Sequence, residues 1–273
     1  MEPFARLPEA CVAEIISFTS PEDAARSAVV SAVFKSAADS DVVWDKFLPS
    51  DYQSIISRSL PPPIVYATKK DLYLALCHSP ILLDQGKLRF SVDKRSGKKC
   101  YMLGATQIIS WGDTSSLQME WTSPADSRFS EVATIINATF LDIRARIQTQ
   151  MLSPATTYAA YLVFRVATVY HGLEVVKATV RFVRHESDSE AEVKASLVHL
   201  KSRAYPSYDP MFLGGKIPRR RDDKWMEIEI GEFLTTTKGD CDGDDEVEAR
   251  LFDNRQFYAK CGLIVDGVEF RPK

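Results

Sequence analysis

Two tryptophans, Trp111 and Trp121, bracket a segment that contains Gly112 and Asp113. An indole offers a flat apolar surface on which the face of a pyranose stacks, and a nearby carboxylate accepts the sugar's hydroxyl hydrogens. Trp111, Asp113 and Trp121 are therefore candidate carbohydrate-binding residues. Two tryptophans so placed also suit the core of a β-sandwich, and on spacing alone that reading is the stronger. Asp113 and Glu120 form a pair of acids of the kind that flanks a scissile glycosidic bond, but the separation a glycosidase needs is not legible in a sequence. Carbohydrate-directed catalysis is thus a remote alternative to a pair of solvated acids.

Other chemistry is sparse. His78, His171, His185 and His199 share no spacing that sets two of them on one face as metal ligands. Asp240-Cys241-Asp242-Gly243-Asp244-Asp245-Glu246 has the acid density of a calcium loop. Its glycine comes two positions too early, however, and no bidentate acid stands at the last ligand position, which favours a solvated turn. There is no G-x-S-x-G elbow, Walker loop or G-x-G-x-x-G, so no catalytic residue, metal or cofactor is expected. Arg219-Arg220-Arg221 is the densest basic cluster, followed by Lys98-Lys99. It suits anion binding or a weak nuclear signal, but Asp222-Asp223 follows and is expected to cancel part of its field, leaving a solvated loop as the expectation.

The chain has 273 residues, and at roughly 150 per domain that is two domains. With 45% hydrophobic and 26% charged residues, collagen-like, wholly disordered and disulfide-framework classes are excluded. The 34 basic against 37 acidic residues give a net charge of -3, without the basic excess that phosphate contacts require, so nucleic acid is not an expected partner. Five cysteines, Cys11, Cys77, Cys100, Cys241 and Cys261, form no C-x-x-C pair and fit a reduced compartment. Residues 1–6 carry an acid and a proline where a secretory signal needs a basic end and an apolar stretch. In the second half the longest apolar stretch stops at Arg165, well short of the ~20 residues that cross a bilayer. A cytoplasmic or nuclear protein without a membrane partner is expected.

The elements that must position these residues fall into two halves of different period. Over residues 7–48 the apolar residues recur at helical spacing in three blocks. Leu7-Pro8-Glu9 opens the first, with proline where its missing donor costs nothing, and sets Cys11, Val12, Ile15 and Ile16 on one face. Ser20-Pro21-Glu22-Asp23 opens the second with a capping serine and two acids, and Val29, Val30, Val33, Phe34 and Ala37 are expected to continue its stripe. Asp39-Ser40-Asp41 opens the third, which carries Val43, Trp44 and Phe47. Helices this short need one another and a partner. Pro61-Pro62-Pro63 favours an extended connection, and a connecting helix is expected over residues 68–77. From residue 81 the period becomes two: residues 141–148 alternate strictly as a half-buried strand, 157–170 read as a strand covered on both sides near its start, and further strands are expected over 177–184, 225–234, 247–252 and 258–271. Residues 187–192 and 238–246 read as polar loops, and 202–223 as a long one. Many strands with few helices between them imply antiparallel pairing. The expected architecture is an α+β multi-domain chain: a three-helix domain over residues 1–50, a linker with a short helix over 51–84, and an antiparallel β-sandwich over 85–273.

Two resemblances add to this reading. Leu7-Pro8-Glu9, Ile15-Ile16, Ala37-Ala38-Asp39-Ser40-Asp41-Val42-Val43-Trp44 and Phe47-Leu48-Pro49, about the first fifth of the chain, together resemble an F-box, the trihelical module that docks on the Skp adaptor of cullin-based ubiquitin ligases. The resemblance implies adaptor-facing positions at Leu7, Pro8, Ile15, Val30, Phe34 and Trp44. The remainder resembles the plant phloem-protein-2 (Nictaba-like lectin) family through Ile109-Ser110-Trp111-Gly112-Asp113, Ser127-Arg128-Phe129-Ser130-Glu131-Val132, Leu152-Ser153-Pro154-Ala155-Thr156-Thr157-Tyr158, Trp225-Met226-Glu227-Ile228-Glu229-Ile230-Gly231-Glu232-Phe233 and Gly262-Leu263-Ile264-Val265-Asp266-Gly267-Val268. It implies a jelly-roll-like sandwich that binds N-acetylglucosamine oligomers or N-glycan cores, with Trp111, Asp113 and Trp121 as sugar-binding residues. Family lectins carry a Tyr-Trp-x-Trp cluster where this chain has Ser115-Ser116-Leu117-Gln118-Met119-Glu120-Trp121. The central tryptophan is absent, a loss of about 1 kcal/mol of stacking on the aromatic-pair scale. The expected function is a non-catalytic substrate-recognition subunit of a Skp-cullin-F-box ligase that holds its target through a glycan, or by direct protein contact.

Overall fold

The computed structural model describes residues 7–108, 117–201, 214–236, 245–255 and 259–273. The chain divides into two compact units: one of Met1–Gln85 with Arg89–Cys100, the other of Gly86–Leu88 with Tyr101–Lys273.

The first unit is mainly helical: α1 (Glu9–Ser17), α2 (Pro21–Ser27), α3 (Ala32–Asp39), α4 (Asp41–Phe47), α5 (Tyr52–Ser57) and α6 (Lys69–His78), followed by the short strand β1 (Ile81–Leu83). The expectation of three helices over residues 7–48 is corrected to four. Ser31 is extended (φ -162°, ψ 169°) and its Oγ accepts the Phe34 N–H, so it starts a new helix and cuts the stripe that Val29 to Ala37 was expected to continue. The other start signals act as their residues dictate: Ser20 caps Asp23 N–H ahead of Pro21, and Thr68 and Asp71 form a reciprocal capping box on α6. The core of this unit gathers Val12, Ile16, Ala37, Val43, Trp44, Phe47, Leu72, Tyr73 and Leu76. β2 (Leu88–Val92) and β3 (Lys99–Gly104) follow, joined by a turn in which Asp93 N–H donates to Lys98 O at 2.8 Å. Gly97 in that turn has φ +69°, and a Cβ there would lie 2.6 Å from Phe47 O, so the position requires glycine on both grounds.

Among the described residues the second unit is a β-sandwich with two α-helices: α7 (Ala105–Ile108), β4 (Leu117–Thr122), β5 (Val132–Ala138), β6 (Leu141–Gln148), β7 (Thr157–His171), β8 (Val176–Phe182), α8 (Asp188–Lys194), β9 (Ser196–Val198), β10 (Arg219–Arg220), β11 (Met226–Leu234), β12 (Glu246–Asp253) and β13 (Cys261–Pro272). One sheet runs β4-β5-β13-β7-β11-β10, with residues 101–104 of β3 also paired to β13. The other runs β6-β12-β8-β9. Their described strand registers are antiparallel. Side chains alternate as the period of two requires: Leu141, Ile143, Ala145 and Ile147 of β6 are buried and Arg146 is exposed. The sheets meet where Phe233 packs against Phe182 of the opposing sheet (6.2 Å between centroids) and beside Tyr158 and Phe270 of its own. Gly231 sits at a bulge in β11, and a Cβ on it would come within 2.9 Å of Val180 Cγ2. The expected loop over residues 187–192 is corrected to α8, whose Ser187 and Glu190 form a capping box. That S-x-x-E signature is visible in the sequence; the density of polar residues concealed it.

Candidate functional site

In the helical unit, α1 divides its apolar residues between two sides. Val12, Ala13 and Ile16 enter the core, whereas Leu7, Ile15 and, just past the helix end, Phe18 remain exposed. The turn between α2 and α3 adds Val29 and Val30, α3 adds Val33 and α4 adds Val42, all exposed, with Phe18 at 76% and Val29 at 86%. Seven large apolar side chains outside one small core are more than solvation alone accounts for, and such surfaces take partners. Of the expected adaptor-facing residues, Leu7, Pro8, Ile15 and Val30 are exposed and Phe34 is half-buried. Trp44 is corrected: it is 2% exposed, its Nε1 donates to Ala38 O at 2.7 Å, and its ring packs on Phe47 and Tyr73. A large amphipathic ring finds both apolar contact and a carbonyl inside the unit, so it supports the surface from beneath and does not face outward. Phe18, Val29, Val33 and Val42 were not singled out as surface residues. The signal for the two valines of the α2–α3 region was Ser31, the cap that breaks their helix.

Of the expected sugar-binding residues, Trp111 and Asp113 lie outside the described residues. Trp121 lies on β4, 37% exposed, opposite Ala133. Ala133 pairs with Val265 and Val265 with Phe164, so among the described strands Trp121 ends a row of residues on one face of the sheet, at its edge. Glu120, the other half of the acid pair, is exposed on the same strand. A second indole, Trp225, is fully buried. The Arg165 guanidinium lies 4.1 Å from its ring centroid and its Nε1 donates to Asp126 O at 3.0 Å. Arg165 in turn pairs with Asp126, whose carboxyl it holds below the usual carboxylate range.

The sandwich surface is densely ion-paired. On β13, Asp266 is wholly buried and accepts from Arg128 (2.6 Å) and Ser127 (2.9 Å). Beside it, burial opposes the ionisation of Glu227, but the Arg271 pair at 2.7 Å outweighs it and keeps the carboxyl below its ordinary value. The same balance holds Glu229 low against Lys216. On the other sheet Glu248, also fully buried, sits in one cross-strand row with Arg146 and Arg181 and is paired to both, while α8 contributes Asp188 to Arg144 and Glu192 to Arg250. Glu227 and Glu229, held below the ordinary range, are unsuited to proton transfer at neutral pH. His199 is likewise occupied, its ring nitrogens 2.9 Å and 2.6 Å from Glu174 O and Gly214 O. Burial pushes the Cys77 thiol up to about 11, which keeps it protonated and unreactive. Among the described residues, no group of three His, Cys, Asp or Glu suits a metal ion. Of the acidic stretch over 240–246, residues 240–244 lie outside the described residues; Asp245 is buried, with Oδ2 3.1 Å from His185 Nε2 and Oδ1 without a hydrogen-bond partner among the described residues. Among the described residues no helix is long and apolar enough to cross a membrane.

Residues 98–272 match the family described as Phloem protein 2. The chain is 40% identical to F-box protein PP2-B15 of Arabidopsis thaliana over 98% of this chain and 96% of that protein. It is 39% identical to F-box protein VBF of the same plant over 98% and 99%. Among solved structures, the C-terminal CBM6 of LamC from Zobellia galactanivorans is similar over 63% of this chain and 98% of that chain, at 9% identity and a TM-score of 0.32.

Proposed function

The chain belongs to the phloem protein 2 family, and on that premise we propose that it is a substrate-recognition subunit of a Skp-cullin-F-box ubiquitin ligase, acting in the cytosol or nucleus. Its helices are the F-box and its sandwich holds the target, while other subunits transfer ubiquitin; the chain itself performs no chemistry. The observation that carries this reading is the set of apolar side chains left exposed on a helical unit that already has its own core. Fully burying a Val, Leu, Ile or Phe contributes about 1.5–3 kcal/mol, so a few such residues around Ile15 and Val30 suffice to hold an adaptor. The names of the relatives, F-box proteins matched over nearly the whole chain, support the same reading. Co-purification with a Skp-type adaptor tests it: the intact chain should retain the adaptor and the Leu7→Ala, Pro8→Ala double variant should lose most of it. No complex, or one that both substitutions leave undiminished, sinks the proposal.

For the target we propose recognition of an N-acetylglucosamine-bearing glycan through Trp111, Asp113 and Trp121, a reading supported by the family's lectins and by the exposed edge position of Trp121. A glycan array should show binding that Trp111→Ala abolishes; binding that survives this change refutes the site. The ion-paired, polar surface of the sandwich favours direct protein contact as the second reading.

A further inference from the structure

We propose that the free edge of β10 is a docking site for an extended peptide segment with anionic side chains, an inference that rests on the reading of the sandwich as the target-holding part. β10 pairs on one side with β11, Arg219 opposite Glu227 and Arg220 opposite Met226. Its other side pairs with no strand among the described residues. A free edge presents backbone donors and acceptors that an incoming extended chain can pair, which supplies affinity without reading sequence.

Charge supplies the selection. The sequence suggests that Asp222 and Asp223 cancel the arginine trio, but the structure distributes these charges differently. Asp223 is taken by Arg128 and by the Trp225 N–H. Arg221 donates to Glu227 at 2.8 Å and Glu269 at 2.6 Å, and the remaining carboxylates beside the strand are held by Arg271 and Lys216. Arg219 and Arg220 are left exposed, with no carboxylate partner among the described residues. Asp222 is the single exposed acid beside them that no described cation holds, so the edge carries a surplus of positive charge although the whole chain is at -3.

The shape agrees. Two cavities of about 460 and 390 Å³ lie along β10 and share Arg219 and Glu227. The first also takes in Ile217, an apolar residue 67% exposed. A segment laid along this edge meets two guanidiniums, whose forked donors match a carboxylate or a phosphate, and an apolar contact beside them.

Fluorescence anisotropy with labelled octapeptides and the full chain tests the site. An Asp/Glu-rich peptide should bind, its Asn/Gln counterpart should not, and rising salt should weaken the complex. The loss of two exposed pairs predicts a weakening of up to about thirtyfold, the equivalent of roughly 2 kcal/mol, for Arg219→Glu with Arg220→Glu, substitutions on exposed side chains whose folding is checked by circular dichroism. A phosphoserine peptide that binds well above the Asp/Glu peptide marks the ligand as phosphorylated, and equal binding marks it as carboxylate; either supports the site. Methylation of alternate peptide amides should abolish binding, and its having no effect overturns strand addition. Equal binding of the Asn/Gln peptide, indifference to the double reversal, or tighter binding of a single-stranded oligonucleotide overturns the proposal. Adaptor co-purification of the same samples separates the two readings: a chain that captures adaptor but no peptide sinks this proposal alone, and one that binds peptide but no adaptor sinks the ligase reading alone.

Discussion

Trp44 serves two needs at once, filling the helical core and donating to the Ala38 carbonyl. Trp44→Ala should therefore destabilise that unit by about 3–5 kcal/mol, seen as an earlier urea transition, and Trp44→Phe should recover most of the packing while leaving the carbonyl unsatisfied, at a cost of about 1 kcal/mol or more. The paired glutamates of the sandwich make a second prediction. Burial works against the ionisation of Glu227 and Glu229, yet Arg271 and Lys216 bring both below the ordinary glutamate range. In acid the unfolded chain then binds more protons than the folded one, so this stabilisation is complete above the unfolded value of about 4.3 and is lost as pH falls through the lower folded values. Arg271→Ala should move the acid transition of the sandwich to higher pH when followed by circular dichroism. At this scale the sequence is a poor guide: nothing in the spacing of Trp44 distinguishes an outward ring from an inward one, and the partners of Glu227 and Glu248 come from strands tens of residues away.

Helix starts and strand alternation were legible because each is set by neighbouring residues. Ser20, Pro21 and Thr68 announce helices that form, and the alternation over residues 141–148 became β6. Misreadings came where composition outweighed a local signal. Ser31 hid in an apolar stripe and Ser187 in a polar one, and both cap helices. Ser31→Ala should cost about 1 kcal/mol, measurable as a lowered melting temperature, because α3 loses the acceptor for Phe34 N–H. The three-residue strands β1 and β9 are too short for an alternation to be read, whereas β4 alternates Leu117, Met119 and Trp121 with Gln118, Glu120 and Thr122, a legible signal that was passed over. Gly231 belongs to the same scale: a Cβ at 2.9 Å from Val180 forces the sheets to shift, so Gly231→Val should cost about 1–3 kcal/mol in the urea transition of the sandwich.

For the molecule as a whole, the helical unit gathers exposed apolar side chains over residues 7–42, while the sandwich exposes such residues on separate elements, as at Val169, Val193 and Leu234, and ties many of its charges into pairs. Replacing Ile15 and Val30 by Asp should reduce adaptor capture by at least about thirtyfold, the equivalent of roughly 2 kcal/mol, with little change in melting temperature, because both residues lie outside the core. Composition and period conveyed the contrast between halves, but not which apolar residues stay outside. β13 has a further consequence. It pairs with β3, β5 and β7, so the strand at the centre of its sheet comes after all three of these partners in the chain. The helices can order while synthesis continues, but the sheet has to wait with its apolar faces uncovered until residues 261–272 emerge. A chain halted before Cys261 should be readily cleaved by protease in limited digestion, because three strands then lack the partner they share.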